Sequence, residues 1–113
     1  MDVQDIYFMV RGLQLMTPRQ RRKNLQLSTA KQMRGLAEAC YNLLKNQKFS
    51  SEELRVFGNK HGRQVRLIAD KSVCKKNKIS VLTGRGTFLS ELLDILSPLL
   101  TAVIDKRENK QHN

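Results

Sequence analysis

Between Phe88 and Ile104 the apolar residues recur at helical spacing, and no other feature of the chain limits its fold as much. At roughly 100° per residue, Phe88, Leu89, Leu92, Leu93, Ile95, Leu96, Leu99, Leu100, Ala102, Val103 and Ile104 cover an arc of about 200°. Ser90, Glu91, Asp94, Ser97, Pro98, Thr101 and Asp105 fill the complementary arc. Such a segment is predicted to be a helix buried over more than half its circumference. That is wider than one face of a small three-helix core uses. The helix either completes the core, meets another copy of the chain, or docks onto a partner such as a capsid-type protein. Phe88, Leu89, Leu92, Leu93, Leu96, Leu99 and Leu100 are the candidate partner-binding residues. A membrane surface is the less expected partner, because interfacial helices carry Lys and Arg on their polar face and this one carries Glu91 and Asp94. A spanning helix needs about 20 mainly apolar residues, and Glu91, Asp94 and Pro98 interrupt this one. Thr87 can cap it, with the two acids near the positive helix end. Ser97-Pro98 reads as a kink or a new helix start.

Upstream, Met33, Leu36, Ala37, Cys40, Tyr41, Leu43 and Leu44 follow the one-face helical pattern after Ser28 or Thr29, either of which can cap it. This helix should end near Asn46. Ser50-Ser51-Glu52-Glu53 has the form of a capping box, and Phe49 with Leu54 that of a hydrophobic staple. A second helix starting at Ser51 would bury Leu54, Phe57, Val65, Ile68 and Ala69, with His61 packed on the same stripe. Gly58 and Gly62 lie inside it, each costing about 1 kcal/mol relative to Ala, and point to a kink, a break or a close helix approach. Val73 to Leu82 can form a third, short helix. Gly84 and Gly86 then act as a hinge or cap, since the full dinucleotide fingerprint and the P-loop pattern are both missing. The expected fold is therefore all-α: a small helical domain of three to four amphipathic helices over residues 28–105. A flexible basic N-terminal arm, open to disorder, spans 1–27, and a polar tail spans 106–113. Within the arm, Ile6 to Val10 reads as a docking strand or partner-binding segment, and Gly12, Thr17 and Pro18 oppose a long helix.

Charge is the outlying property. The net charge is +11, which calls for an anionic partner. Arg11 to Arg34 contains no acid, and Arg19, Arg21, Arg22 and Lys23 crowd within five residues. Arg55, Arg63 and Arg66 form a stripe on the second helix, and Lys75, Lys76, Lys78 and Arg85 follow. These are the candidate nucleic-acid-binding residues, and DNA is favoured. Phosphate neutralisation by such residues is sequence-tolerant and salt-dependent. No RNP motif, zinc finger or aromatic platform supports base-specific reading.

An enzyme is not expected, because no nucleophile–base set, carboxylate pair or metal cluster can be named. No cofactor is implied. Cys40 and Cys74 are too few for a secreted disulfide framework, and Cys40 reads as a small core residue. Met1 to Val10 holds Asp2 and Asp5 and no basic region, so it does not read as a signal peptide. The expected location is intracellular, in the nucleus or a virion.

The order of features also resembles a known family. Leu36-Ala37-Glu38-Ala39-Cys40-Tyr41-Asn42-Leu43-Leu44 precedes a basic helix with Asn59-Lys60-His61 and Arg66-Leu67-Ile68-Ala69. Lys75-Lys76-Asn77-Lys78 then leads through Val81-Leu82 and Gly84-Arg85-Gly86-Thr87-Phe88-Leu89 into a Leu-rich tail. From Leu36 to about Leu100 this is similar to the small basic proteins of Maverick/Polinton-type DNA elements and adintoviruses, which are likened to the DNA-condensing core peptide of adenoviruses. Thr87 stands where that family has the second Gly of Gly-Gly-Phe, and Asn77, Ile79 and Ser80 dilute the lysine run. The resemblance implies a virion-core or genome-packaging role. Two alternatives stand beside it. One is a structural adaptor using residues 87–104. The other is a helix-turn-helix regulator, for which the turn at Asn46–Ser50 has a suitable length but Glu52 and Glu53 are wrong for entering a groove.

Overall fold

Asp2 caps the first helix by accepting a hydrogen bond from the Val3 amide at 2.7 Å. In the computed structural model, which describes residues 2–45, 52–84 and 86–111 with side chains through Lys106, this helix, α1, runs Val3–Leu15. Ile6, Val10 and Leu13 fall four and three residues apart and are buried, the spacing of one helical face. Helix α2 (Pro18–Gln26) opens with a reciprocal capping box: Thr17 Oγ1 accepts from the Gln20 amide, and Gln20 Oε1 accepts from the Thr17 amide. Pro18 occupies the first turn, where its missing N–H is no loss. Thr29 and Gln32 repeat the device at the start of α3 (Ala30–Lys45). Then follow α4 (Glu52–Ala69), α5 (Lys75–Leu82) and α6 (Phe88–Gln111). Among the described residues there is no strand.

The core joins two helix pairs. The most extensive contact is α1 on α6, and the next is α3 on α4; α3 also touches α1 and α6, and α4 touches α5 and α6. Val10, Cys40, Ile68, Leu92 and Leu93 have no exposed surface. Burying an aliphatic side chain of this size stabilises by about 1.5–3 kcal/mol, so the α1–α6 seam is a main support of the fold. His61 packs against the rings of Phe57 and Phe88, at centroid distances of 5.2 and 5.3 Å.

The fold class is the expected one, with six helices in place of three to four. The segment 1–27 is not an arm: two capped helices occupy it, and α1 is part of the core. The wide apolar arc on α6 explains this, since α3, α4 and α5 alone leave a face of α6 to cover. Phe88, Leu92, Leu93, Leu96 and Leu100 are buried within the chain, and Leu89 and Leu99 are half-buried. The face expected to dock a partner is therefore covered by the chain itself. Pro98 neither ends nor restarts α6, which also continues through the expected tail to Gln111. α4 passes through Gly58 and Gly62 unbroken, and an added Cβ at either would meet nothing within 4 Å. Neither glycine serves a close helix approach. Gly86 does what a hinge glycine is for, with φ at +107°. The capping box at Ser50–Glu53, the staple from Phe49 and the turn at 46–50 involve residues outside those described.

Candidate functional site

The basic residues divide into three groups by what their side chains do. Arg19, Arg22 and Lys23 on α2, Arg63 and Arg66 on α4, and Lys75 and Lys76 on α5 are exposed. None of them forms an ion pair among the described residues. Arg55 is exposed too, but Glu52 holds it at 2.9 Å. Arg21 and Lys78 face inward. Arg85 lies outside the described residues.

Arg21 is a structural cap. Its guanidinium donates to the carbonyls of Leu13 at 2.6 Å and Gln14 at 3.1 Å, and to Ser90 Oγ at 2.9 Å. It therefore satisfies the last turn of α1 and ties that end to α6. The run Arg19 to Lys23 gives no sign of this, because the carbonyls it serves are identified only once α1 ends where it does.

Lys78 is 6% exposed. The cause is the geometry of α5: Lys78 and Leu82 stand four residues apart and share the buried face. Lys78 lines a groove of about 620 Å³ between α3 and the α4–α5 turn, together with Arg34, Glu38, Tyr41 and Asn42. Lys71 and Lys75 stand on the same groove. The turn is set by Asp70, whose carboxylate accepts from the Ser72 hydroxyl at 2.7 Å and the Ser72 amide at 2.9 Å. Those two bonds hold the Asp70 carboxyl below its ordinary range. Beneath the groove, burial pushes the Cys40 thiol up to about 12 against the opposing pull of Lys78, so it stays protonated. A second cleft of about 490 Å³ on the other side of α5 is lined by Gln26, Lys75, Lys76 and Thr83.

Two sets of exposed cations stand at helical spacing from a cleft-lining residue. On α2, Arg19, Arg22 and Lys23 precede Gln26 at helical spacings, and Gln26 opens onto the second cleft. On α4, Arg63 and Arg66 lead to Ala69, which lines the first. Lys75 stands between the clefts and donates to the carbonyl of Ser28, fixing the start of α5 against the α2–α3 junction.

One acid, Glu91, is engaged between α4 and α6. Glu91 Oε1 accepts from Lys60 at 3.1 Å and from Thr87 Oγ1 at 3.2 Å, while Oε2 meets His61 Nε2. The Lys60 contact chiefly lowers the Glu91 carboxyl below its ordinary range, with His61 and Thr87 assisting and partial burial opposing. A carboxylate only accepts, so Nε2 carries the proton of that bond. His61 Nδ1 is buried without a hydrogen-bond partner. Among the described residues no three of His, Cys, Asp and Glu are grouped to hold a metal, and no helix is long and apolar enough to cross a membrane. No protein-family model, curated protein or solved structure matches the chain.

Proposed function

We propose that the protein binds nucleic acid through the phosphate backbone without reading sequence, as a virion-core or genome-packaging protein does. One observation carries this reading: Arg19, Arg22, Lys23, Arg63, Arg66, Lys75 and Lys76 are exposed and form no ion pair among the described residues, in a chain of net charge +11. Unpaired surface cations of this kind release counterions when they meet phosphates, and the binding is then set by salt rather than by base sequence. DNA is the favoured polyanion. With roughly six phosphates neutralised, affinity falls about a thousandfold between 50 and 200 mM salt.

The test is titration of random duplex DNA, duplex RNA and anionic vesicles, each over a series of salt concentrations. Steep salt dependence and near-equal affinity for unrelated duplexes support the proposal. Salt-insensitive binding, a strong preference for one site, or tighter binding to vesicles than to either duplex overturns it.

A further inference from the structure

The exposed cations of α2 and α5 form one track, whose two halves meet only in the folded chain. At 100° per residue, Arg19, Arg22, Lys23 and Gln26 fall within about 100° of arc on one side of α2. Arg21 and the buried Leu25 take the other side, toward the end of α1 and the core. On α5 and its C-cap, Lys76, Ile79, Ser80 and Thr83 share an arc of about the same width, apart from the buried Lys78 and Leu82. The cleft of about 490 Å³ joins the two sides, with Gln26 lining it from α2 and Lys76, Ser80 and Thr83 from α5. The bond from Lys75 to the Ser28 carbonyl fixes that junction. The first turn of α5 stands at the cleft, and its N-cap Cys74 makes no side-chain capping bond, so the positive helix end adds to the field there.

Freedom from acids sets this track apart from the cations of α4. Residues 11–34 and 71–84 contain no Asp or Glu, and no acid lines the cleft. On α4 carboxylates stand among the cations: Glu52 holds Arg55, Glu91 holds Lys60, and Asp70 follows Arg66 by one helical turn. The groove beside α4 carries Glu38 as well. A phosphate strand laid along α4 meets these carboxylates, whereas one laid along α2 and α5 meets cations and, at Gln26 and Ser80, neutral groups of the kind that bond phosphate oxygens. Arg19 to Gln26 and Lys76 to Thr83 each span about 10 Å of helix axis, the length of about three phosphates of one strand at 3.4 Å each. We propose that one strand of duplex DNA lies along α2, over the cleft and along α5, with Arg19, Arg22, Lys23 and Lys76 on its phosphates. Arg63 and Arg66 then act only through the long-range field. This inference rests on the backbone-binding reading above and adds the face that carries it.

Titration of the full chain with a random-sequence duplex over a series of salt concentrations tests this. Arg22→Gln with Lys23→Gln and Arg63→Gln with Arg66→Gln remove the same charge from the two faces, all at exposed positions. The α2 pair should weaken binding at least about tenfold at low salt and lower the slope of log affinity against log salt by about 2, at roughly 0.9 per phosphate contact. The α4 pair should weaken it less than about threefold and move the slope by less than about 0.5. Lys76→Gln should lower the slope by about 1, and by the same amount again when added to the α2 pair. Backbone amide shifts on adding a short duplex should concentrate in residues 19–26 and 75–83. Equal losses from the two pairs, or an unchanged slope in Lys76→Gln, overturn the assignment to this face and leave backbone binding standing. A parent chain that binds no duplex overturns the backbone-binding reading itself, and this inference with it.

Discussion

Arg21 and Arg22 are adjacent, carry the same charge and differ in every consequence. Arg21 bonds two carbonyls at the end of α1 and the Ser90 hydroxyl, whereas Arg22 is exposed and unpaired. Bonds from a charged donor contribute about 1.5–3 kcal/mol, so Arg21→Ala should destabilise by about 2 kcal/mol in urea unfolding. Arg22→Ala should move stability by less than about 0.5 kcal/mol and reduce the salt slope of DNA binding instead. Glu91 is the second residue whose surroundings set its chemistry. Its carboxyl is lowered in the folded chain, so its stabilising contribution is present above the ordinary value of 4.5 and disappears as pH falls through the lower folded value. Melting temperatures between neutral and strongly acid pH should therefore fall less steeply in Glu91→Gln than in the parent chain. Equal slopes would show that the Lys60–Glu91–His61 contact does not couple to folding.

At the scale of the helix, α1 and α2 are where sequence and structure part. Their signals were present: Ile6, Val10 and Leu13 keep helical spacing, and Thr17-Pro18-Arg19-Gln20 has both the capping box and the first-turn proline. Local charge and the short apolar run Ile6 to Val10 obscured them, and an arm was the natural expectation. Removing residues 1–16 is a direct test. An arm would be dispensable, but loss of α1 strips the face it covers on α6, and the truncated chain should bind a hydrophobic dye and lose its cooperative melt. Within the intact chain, Leu93→Ala should cost roughly 2–5 kcal/mol, since Leu93 has no exposed surface. The opposite sign is expected in α4. Gly58 and Gly62 have open space where a Cβ would stand, so Gly58→Ala and Gly62→Ala should each stabilise by about 0.5–1 kcal/mol, read as a higher urea midpoint.

At the scale of the whole molecule, charge and packing are nearly separate. The core is apolar but for Ser28, His61 and Lys78, and most of the charge stands on outer faces. Self-repulsion among surface cations opposes folding, and a bound polyanion relieves it. The melting temperature should therefore rise with short duplex DNA at low salt and lose most of that gain near 1 M salt, where the Debye length is about 3 Å.

The helical class, the extent of α3 to within a few residues, the start of α6, a cap at Ser28 or Thr29 and the core place of Cys40 and His61 were determined by periodicity and capping chemistry. Both act within a few turns of one helix, so the sequence carries them openly. Which helix covers the broad face of α6 was decided only in three dimensions, because the arc specifies an area to bury and not the segment that buries it. The same holds for the lysines. Charge counting treats Lys75, Lys76 and Lys78 alike, and only the packing of α5 on α4 leaves two of them exposed and buries the third. Burial of a charge depends on neighbours distant in sequence, and those neighbours exist as a surface only once the helices have packed.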